Sequence, residues 1–178
     1  MDSLVDQIIA LHGALDTAGL PHAFGGALAL AWCTERARGT IDIDVNILIP
    51  TDQFERAIAA MPAGIKVTRK DRDLLKKEGQ VRLWWNRTPV DLFLNTTGFH
   101  EGIAERIRWE TFARHRIPFL SCLDLAVFKA FFNRPKDWVD LEEMLLAGTL
   151  DIERTMAVLI GYLGQDDERI GRLQALKT

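Results

Sequence analysis

Two cysteines, Cys33 and Cys122, are all the chain has in 178 residues, and they fit no paired metal or redox spacing. That predicts reduced thiols and a cytoplasmic setting. No apolar run approaches the roughly 18–20 residues that span a bilayer, so no membrane partner is expected. The opening MDSLVDQIIALHG carries acidic residues where a secretory leader would be basic, which predicts no secretion. His12, His22, His100 and His115 lack metal-ligand spacing, and there is no Gly-x-Ser-x-Gly nucleophile turn. Repeats, low-complexity tracts and linker-like stretches are missing too. What is left is a globular protein of one domain, or a core with an appendage, and its 48% hydrophobic content suits that.

Net charge is only −3, yet the charge is segregated. Between Lys66 and Arg87 stand eight Lys/Arg against three Asp/Glu; between Asp137 and Arg169 stand two against nine. The basic stretch reads either as a solvated helix face or as a surface that attracts phosphates.

Hydrophobic spacing predicts a helix over 2–19, a short strand over 21–24, a Gly25-Gly26 turn and a helix over 27–33. Residues 41–49 alternate, with Ile41, Ile43, Val45, Ile47 and Ile49 on one face and Asp42, Asp44 and Asn46 on the other. A helix from Thr51 to about 60, a strand near 65–68 and a basic helix near 69–77 come next. The runs 80–85 and 90–94 read as a hairpin joined by Asn86-Arg87-Thr88-Pro89. A helix at 100–108 and a last strand near 113–120 precede a wholly helical tail. The fold class expected is α/β (α+β), with a mixed-sheet core over 1–120 and a helical region over 121–178 packed on it.

Residues i and i+2 of a strand share a face, so Asp42 and Asp44 lie side by side. Two adjacent carboxylates repel unless a cation joins them, and hard Mg²⁺ prefers carboxylate oxygens together with substrate phosphates. Asp91, in Val90-Asp91-Leu92-Phe93, lies on another extended run. If the two strands are neighbours, three carboxylates can hold one or two Mg²⁺ or Mn²⁺ ions for in-line phosphoryl substitution. Gly25-Gly26 supplies a strand-to-helix turn whose backbone N–H groups and lack of side chain suit a phosphate; a plain tight turn would use the same residues. Trp84-Trp85 reads either as packing or as a stacking surface for a base.

Phe24-Gly25-Gly26 followed by Asp42-Ile43-Asp44-Val45 resembles the signature of nucleotidyltransferases of the DNA polymerase β-like superfamily. Arg38-Gly39-Thr40-Ile41-Asp42 is similar to the Arg-x-Thr-x-Asp lead-in of its small members. Asp124-x4-Lys129 and Arg134-Pro-Lys136-Asp137-x-x-Asp140 resemble later motifs of the AbiEii-type branch, which supplies toxins of bacterial toxin–antitoxin systems. The Lys-x-x-x-Thr motif of that branch has no counterpart here. The resemblance implies a minimal nucleotidyltransferase core and transfer of a nucleoside monophosphate from an NTP, such as ATP, to an acceptor hydroxyl. Asp42, Asp44 and Asp91 would be catalytic metal ligands, with Asp91 helping to activate the acceptor. Gly25, Gly26 and Lys129 would bind the nucleotide, and Asp137 would be a further catalytic acid of unspecified role. Against these stand plain readings: Lys129 as a lysine leaving an apolar surface, Asp137 as a helix cap. By the same resemblance the acceptor is the tRNA 3′ end and the partner a cognate antitoxin. The alternatives are an antibiotic nucleotidyltransferase and a non-catalytic binding module.

Overall fold

A computed structural model describes residues 3–37 and 39–177; Arg38, which opens the Arg-x-Thr-x-Asp lead-in, lies outside the described residues. The chain forms a mixed α/β fold around a seven-stranded sheet. It divides into two compact units. One comprises Met1–Leu28 and Gly39–Phe119, the other Ala29–Arg38 and Leu120–Thr178.

In the first unit, helix α1 (Leu4–Thr17) opens with a Ser3–Asp6 capping box and buries Ile8, Leu11 and Leu15, as its periodicity demands. Strands β1 (His22–Phe24), β2 (Ile43–Pro50), β3 (Ile65–Lys66), β4 (Gln80–Trp85), β5 (Thr88–Asn95), β6 (Arg108–Phe112) and β7 (His115–Phe119) order as β3-β4-β5-β2-β1-β7-β6. The β2–β5 and β1–β7 pairs are parallel and the rest antiparallel. Ile43, Val45 and Ile47 of β2 and Val90, Leu92 and Leu94 of β5 are fully buried. Each such side chain contributes about 1.5–3 kcal/mol. Helix α2 begins at the glycine turn and runs from Gly26 to Thr34. A short helix, α3 (Phe54–Ala59), follows β2.

Helix α4 (Arg69–Glu78) is set by a Thr68–Asp71 capping box and stopped by left-handed Gly79. It buries only Leu75 and leaves Arg69, Lys70, Lys76 and Lys77 exposed or nearly so.

Several sequence expectations need correction. Ile41 is exposed and precedes β2, because the strand begins only where β5 pairs with it, at Ile43. The expected helix over 100–108 shortens to α5 (Gly98–Glu101) and a 3₁₀ turn, Gly102–Glu105. The single expected strand near 113–120 is a hairpin, β6–β7, whose turn residues Ala113 and Arg114 both have positive φ. Such turns usually announce themselves with Asn-Gly, and here nothing does.

The second unit packs α6 (Cys122–Phe132), α7 (Pro135–Leu146), α8 (Ile152–Leu163) and α9 (Glu168–Ala175) around Leu125, Ala126, Trp138, Leu141, Met144, Leu159 and Leu173. Ser121, Asp151 and Asp167 cap three of these helices, and Pro135 starts the fourth. Cys33 and Cys122 form a disulfide across 89 residues of sequence, correcting the expectation of two reduced thiols. That separation hides a pairing that the fold makes by bringing the Cα atoms within 5.7 Å. Among the described residues no helix is long and apolar enough to cross a membrane.

Candidate active site

Register builds the site. β2 and β5 run parallel with Asp44 opposite Asp91, and β4 runs antiparallel to β5 with Arg82 opposite Asp91. Directly paired residues share a face, so Asp44, Asp91 and Arg82 form one row across three strands, with Asp42 two residues before Asp44. The opposite face carries the buried Ile43, Val90 and Leu83, which fixes the polar side chains away from the core.

The Arg82 guanidinium clamps Asp91 in a two-pronged bond, Nε to Oδ1 at 2.7 Å and Nη2 to Oδ2 at 2.6 Å. Its Nη2 also lies 3.9 Å from Asp42 Oδ2. The hydrogen bond to Asp91 is the main reason that the Arg82 pKa is raised; charges on Asp91, Asp42 and Asp44 add to it, and partial burial opposes it. Thr40 donates its hydroxyl to Asp42 Oδ1 at 2.6 Å.

β1 delivers the glycine turn to this row. The Gly25 amide donates to the Asp44 carbonyl at 2.9 Å. Gly26 has φ +53°, and a Cβ there would stand 1.9 Å from Asp44 Oδ2. Only glycine meets both demands. A backbone with no side chain thus lies against the carboxylate, where α2 begins.

The donor set suits a hard divalent cation, since Asp42, Asp44 and Asp91 offer only carboxylate oxygens and share one face. Among the described residues, though, no group of three or more His, Cys, Asp or Glu gathers tightly enough to hold a metal. In this structure Arg82 supplies the positive charge at Asp91. Sequence reasoning missed Arg82 as a site residue. The signal was available: a two-residue turn at Asn86-Arg87 puts position 82 opposite position 91.

Lys129 and Asp137 belong to the helical unit. Lys129 Nζ donates to Asp140 Oδ2 at 2.5 Å and lies 3.8 Å from Asp137 Oδ1. Asp137 also accepts from Arg134, Nε at 2.6 Å and Nη2 at 3.0 Å, and from the Arg134 backbone amide at 3.2 Å. Lys129, Asp137 and Asp140 are almost wholly buried. Asp137 therefore caps α7 and pairs with two cations at once. Asp124, which opens the Asp-x4-Lys motif, is buried and accepts from the Ser121 hydroxyl at 2.5 Å.

The tryptophan pair splits. Trp85 is buried, with Gly64 against its indole, while Trp84 is 51% exposed on the face that carries Arg82. His12 and His22 share a hydrogen bond of 2.9 Å, and His100 pairs with Thr97.

The chain matches no protein-family profile and no curated protein. Its fold does match solved structures. The antibiotic-resistance factor ANT(2'')-Ia, studied in solution, superposes with TM-score 0.57 at 16% identity, covering 97% of this chain and 94% of that one. The same protein in a crystal with adenylyl-2''-tobramycin gives TM-score 0.56 at 16% identity, with 97% and 96% covered. A candidate nucleotidyltransferase from H. pylori gives TM-score 0.50 at 15% identity, with 96% and 89% covered. The chain therefore has the fold of these nucleotidyltransferases.

Proposed function

We propose that the protein is a nucleotidyltransferase that moves a nucleoside monophosphate from an NTP to an acceptor hydroxyl. The observation that carries this reading is the alignment of Asp44 with Asp91 across parallel strands, with Gly26 pressed against Asp44. An acceptor oxygen bonds to the α-phosphorus as the bond to the β-phosphate oxygen breaks, and pyrophosphate leaves. Asp91 takes up the hydroxyl proton. The Gly25-Gly26 turn and the start of α2 receive phosphate oxygens, because no side chain stands in their way. Asp42, Asp44 and Asp91 would hold Mg²⁺ or Mn²⁺, which supplies Lewis-acid charge at the transferred phosphoryl group. The motif resemblance would give Lys129 a nucleotide contact and Asp137 a further acid role; their burial and mutual pairing support a structural role instead.

For the acceptor we favour the tRNA 3′ end, with the protein acting as the toxin of an AbiEii-type pair held by a cognate antitoxin. The exposed basic side chains of α4 support it, since RNA backbones bind cations. This reading implies a cytoplasmic site of action, where the Cys33–Cys122 bond would meet a reducing thiol pool.

A second reading has a specific observation behind it. ANT(2'')-Ia shares the fold over nearly its whole length, and an acidic row attracts a polyamine such as tobramycin. One experiment separates the readings. The protein is incubated with each labelled NTP and Mg²⁺, once with total tRNA and once with tobramycin. Label on RNA supports the toxin and label on drug supports the resistance enzyme. Label on neither, with NTP still bound, leaves a binding module.

A further inference from the structure

We propose that Arg82 is a resident counter-cation that competes with the divalent metal for the carboxylate row, a positioning residue acting through Asp91. The proposal rests on the nucleotidyltransferase reading for its metal, but its test does not need turnover. Three facts carry it. Arg82 engages both oxygens of Asp91 at once, at 2.7 and 2.6 Å. The same guanidinium reaches within 3.9 Å of Asp42, so one cation serves two of the acids assigned to the metal. Its side chain is 52% exposed and the Asp91 side chain 16%, so the cation can leave to water while the carboxylate stays put.

Without a cation, Asp42, Asp44 and Asp91 would repel one another across adjacent strands. Arg82 relieves that repulsion and orients the Asp91 carboxylate, because a planar fork fixes both oxygens. It also places a positive charge beside any arriving metal ion. Loading then becomes an exchange in which metal–NTP takes the acids and Arg82 withdraws from Asp91. Strand register makes this possible, since β4 offers Arg82 directly opposite Asp91.

The test is a Mn²⁺ titration read by the electron paramagnetic resonance of free Mn²⁺, at low salt and without nucleotide. Wild type, Arg82→Gln, Arg82→Lys, Asp91→Asn and Arg82→Gln/Asp91→Asn are compared, and circular dichroism confirms that each is folded. Removing a repelling charge at contact distance should tighten Mn²⁺ binding by Arg82→Gln about tenfold or more, with Arg82→Lys closer to wild type. On the Asp91→Asn background the gain should shrink to about threefold or less, because the clamp is gone. Arg82→Gln should also melt below wild type without metal, and Mn²⁺ should close the gap. An Arg82→Gln affinity within about twofold of wild type overturns the proposal and leaves the enzyme reading intact. Failure of wild type and Arg82→Gln alike to bind Mn²⁺, even once NTP is added, overturns the proposal and that reading together.

Discussion

The carboxylate row of the sheet and the ion cluster of the helices both set aspartates against a cation, and they differ in their access to water. Arg82 is half exposed where it clamps Asp91, whereas Lys129, Asp137 and Asp140 are sealed. An exposed pair contributes at most about 1 kcal/mol, so its partners can be exchanged at little cost. Buried charges have given up their hydration, and removing one partner costs about 3–5 kcal/mol. The row is therefore built to trade its cation, and the cluster to keep its own. Substitutions of the row's acids should change chemistry with little loosening of the fold, and those in the cluster should do the reverse.

The largest effect is expected at Asp44. Asp44→Asn keeps shape and relieves repulsion but loses a charge that several kcal/mol of transition-state stabilisation would require. Transfer should fall about a thousandfold, while Tm stays within about 2 °C of wild type. Labelled-NTP transfer and a thermal melt decide it, and a large fall in Tm would erase the contrast with the cluster.

Lys129→Met tests the other side. It leaves Asp140 and Asp137 short of a cation in the interior, so stability should fall by about 3–5 kcal/mol, on the order of 10 °C in Tm. Lys129→Met/Asp140→Leu should recover much of it. A variant that melts like wild type yet binds NTP poorly would instead favour the nucleotide contact that the Asp-x4-Lys motif implies.

The disulfide braces the same helical unit, tying the end of α2 to the start of α6. A disulfide typically stabilises by about 2–4 kcal/mol, so reduction or Cys33→Ser/Cys122→Ser should lower Tm markedly. Thiol counting on the unfolded, unreduced protein should find no reactive thiol. Two titratable thiols would return the chain to the reduced state its sequence suggested.

Much of this contrast was legible in the sequence, and particular residues show why. Asp42, Asp44 and Asp91 could be placed because strand alternation is a local property, and the register that joins Asp44 to Asp91 needed only two neighbouring strands. Arg82 went unassigned because a lysine- and arginine-rich stretch reads as a charged surface until a hairpin register singles out one member. Lys129 was visible as a lysine among phenylalanines, but its burial depends on Asp140 arriving from α7, a tertiary fact. The β6–β7 turn was hidden because Ala113-Arg114 carries none of the usual residues for positive φ. Cys33 and Cys122 were invisible as a pair for the same reason as any distant partners.

Smaller effects lie outside both regions. Arg69→Glu/Lys70→Glu changes exposed side chains of α4 that touch neither ion system. If α4 meets an RNA backbone, binding of tRNA should weaken by about tenfold. Its salt dependence should flatten by roughly one unit of slope for each phosphate no longer neutralised. NTP affinity should hold. Filter binding across a salt series reads both, and equal losses for NTP and RNA would favour the drug-acceptor reading.

The smallest effect concerns a third polar pair, in which His22 is buried and His12 half-buried. With a neutral ring, His22 Nδ1 donates to the Leu20 carbonyl, 2.8 Å away, and its Nε2 accepts from His12 Nδ1 at 2.9 Å. This arrangement needs His22 neutral, since a protonated ring would put a second N–H where its Nε2 accepts. Burial lowers the His12 pKa, with His115 adding to the effect and Asp16 opposing it. Burial also lowers that of His22, with His12 adding and the Leu20 carbonyl and Asp16 opposing. Both rings ordinarily titrate near 6.5. Below that pH the unfolded chain binds more protons than the folded one, so stability is complete above it and declines as pH falls toward the lowered folded values. Melts between about pH 7.5 and 5.5 should therefore show Tm falling on acidification, by no more than about 4 °C. The double variant His12→Gln/His22→Asn should flatten that slope whatever its own Tm. A wild-type Tm that rises on acidification would mean that one ring is held as a cation, and this pair would then join the charged systems.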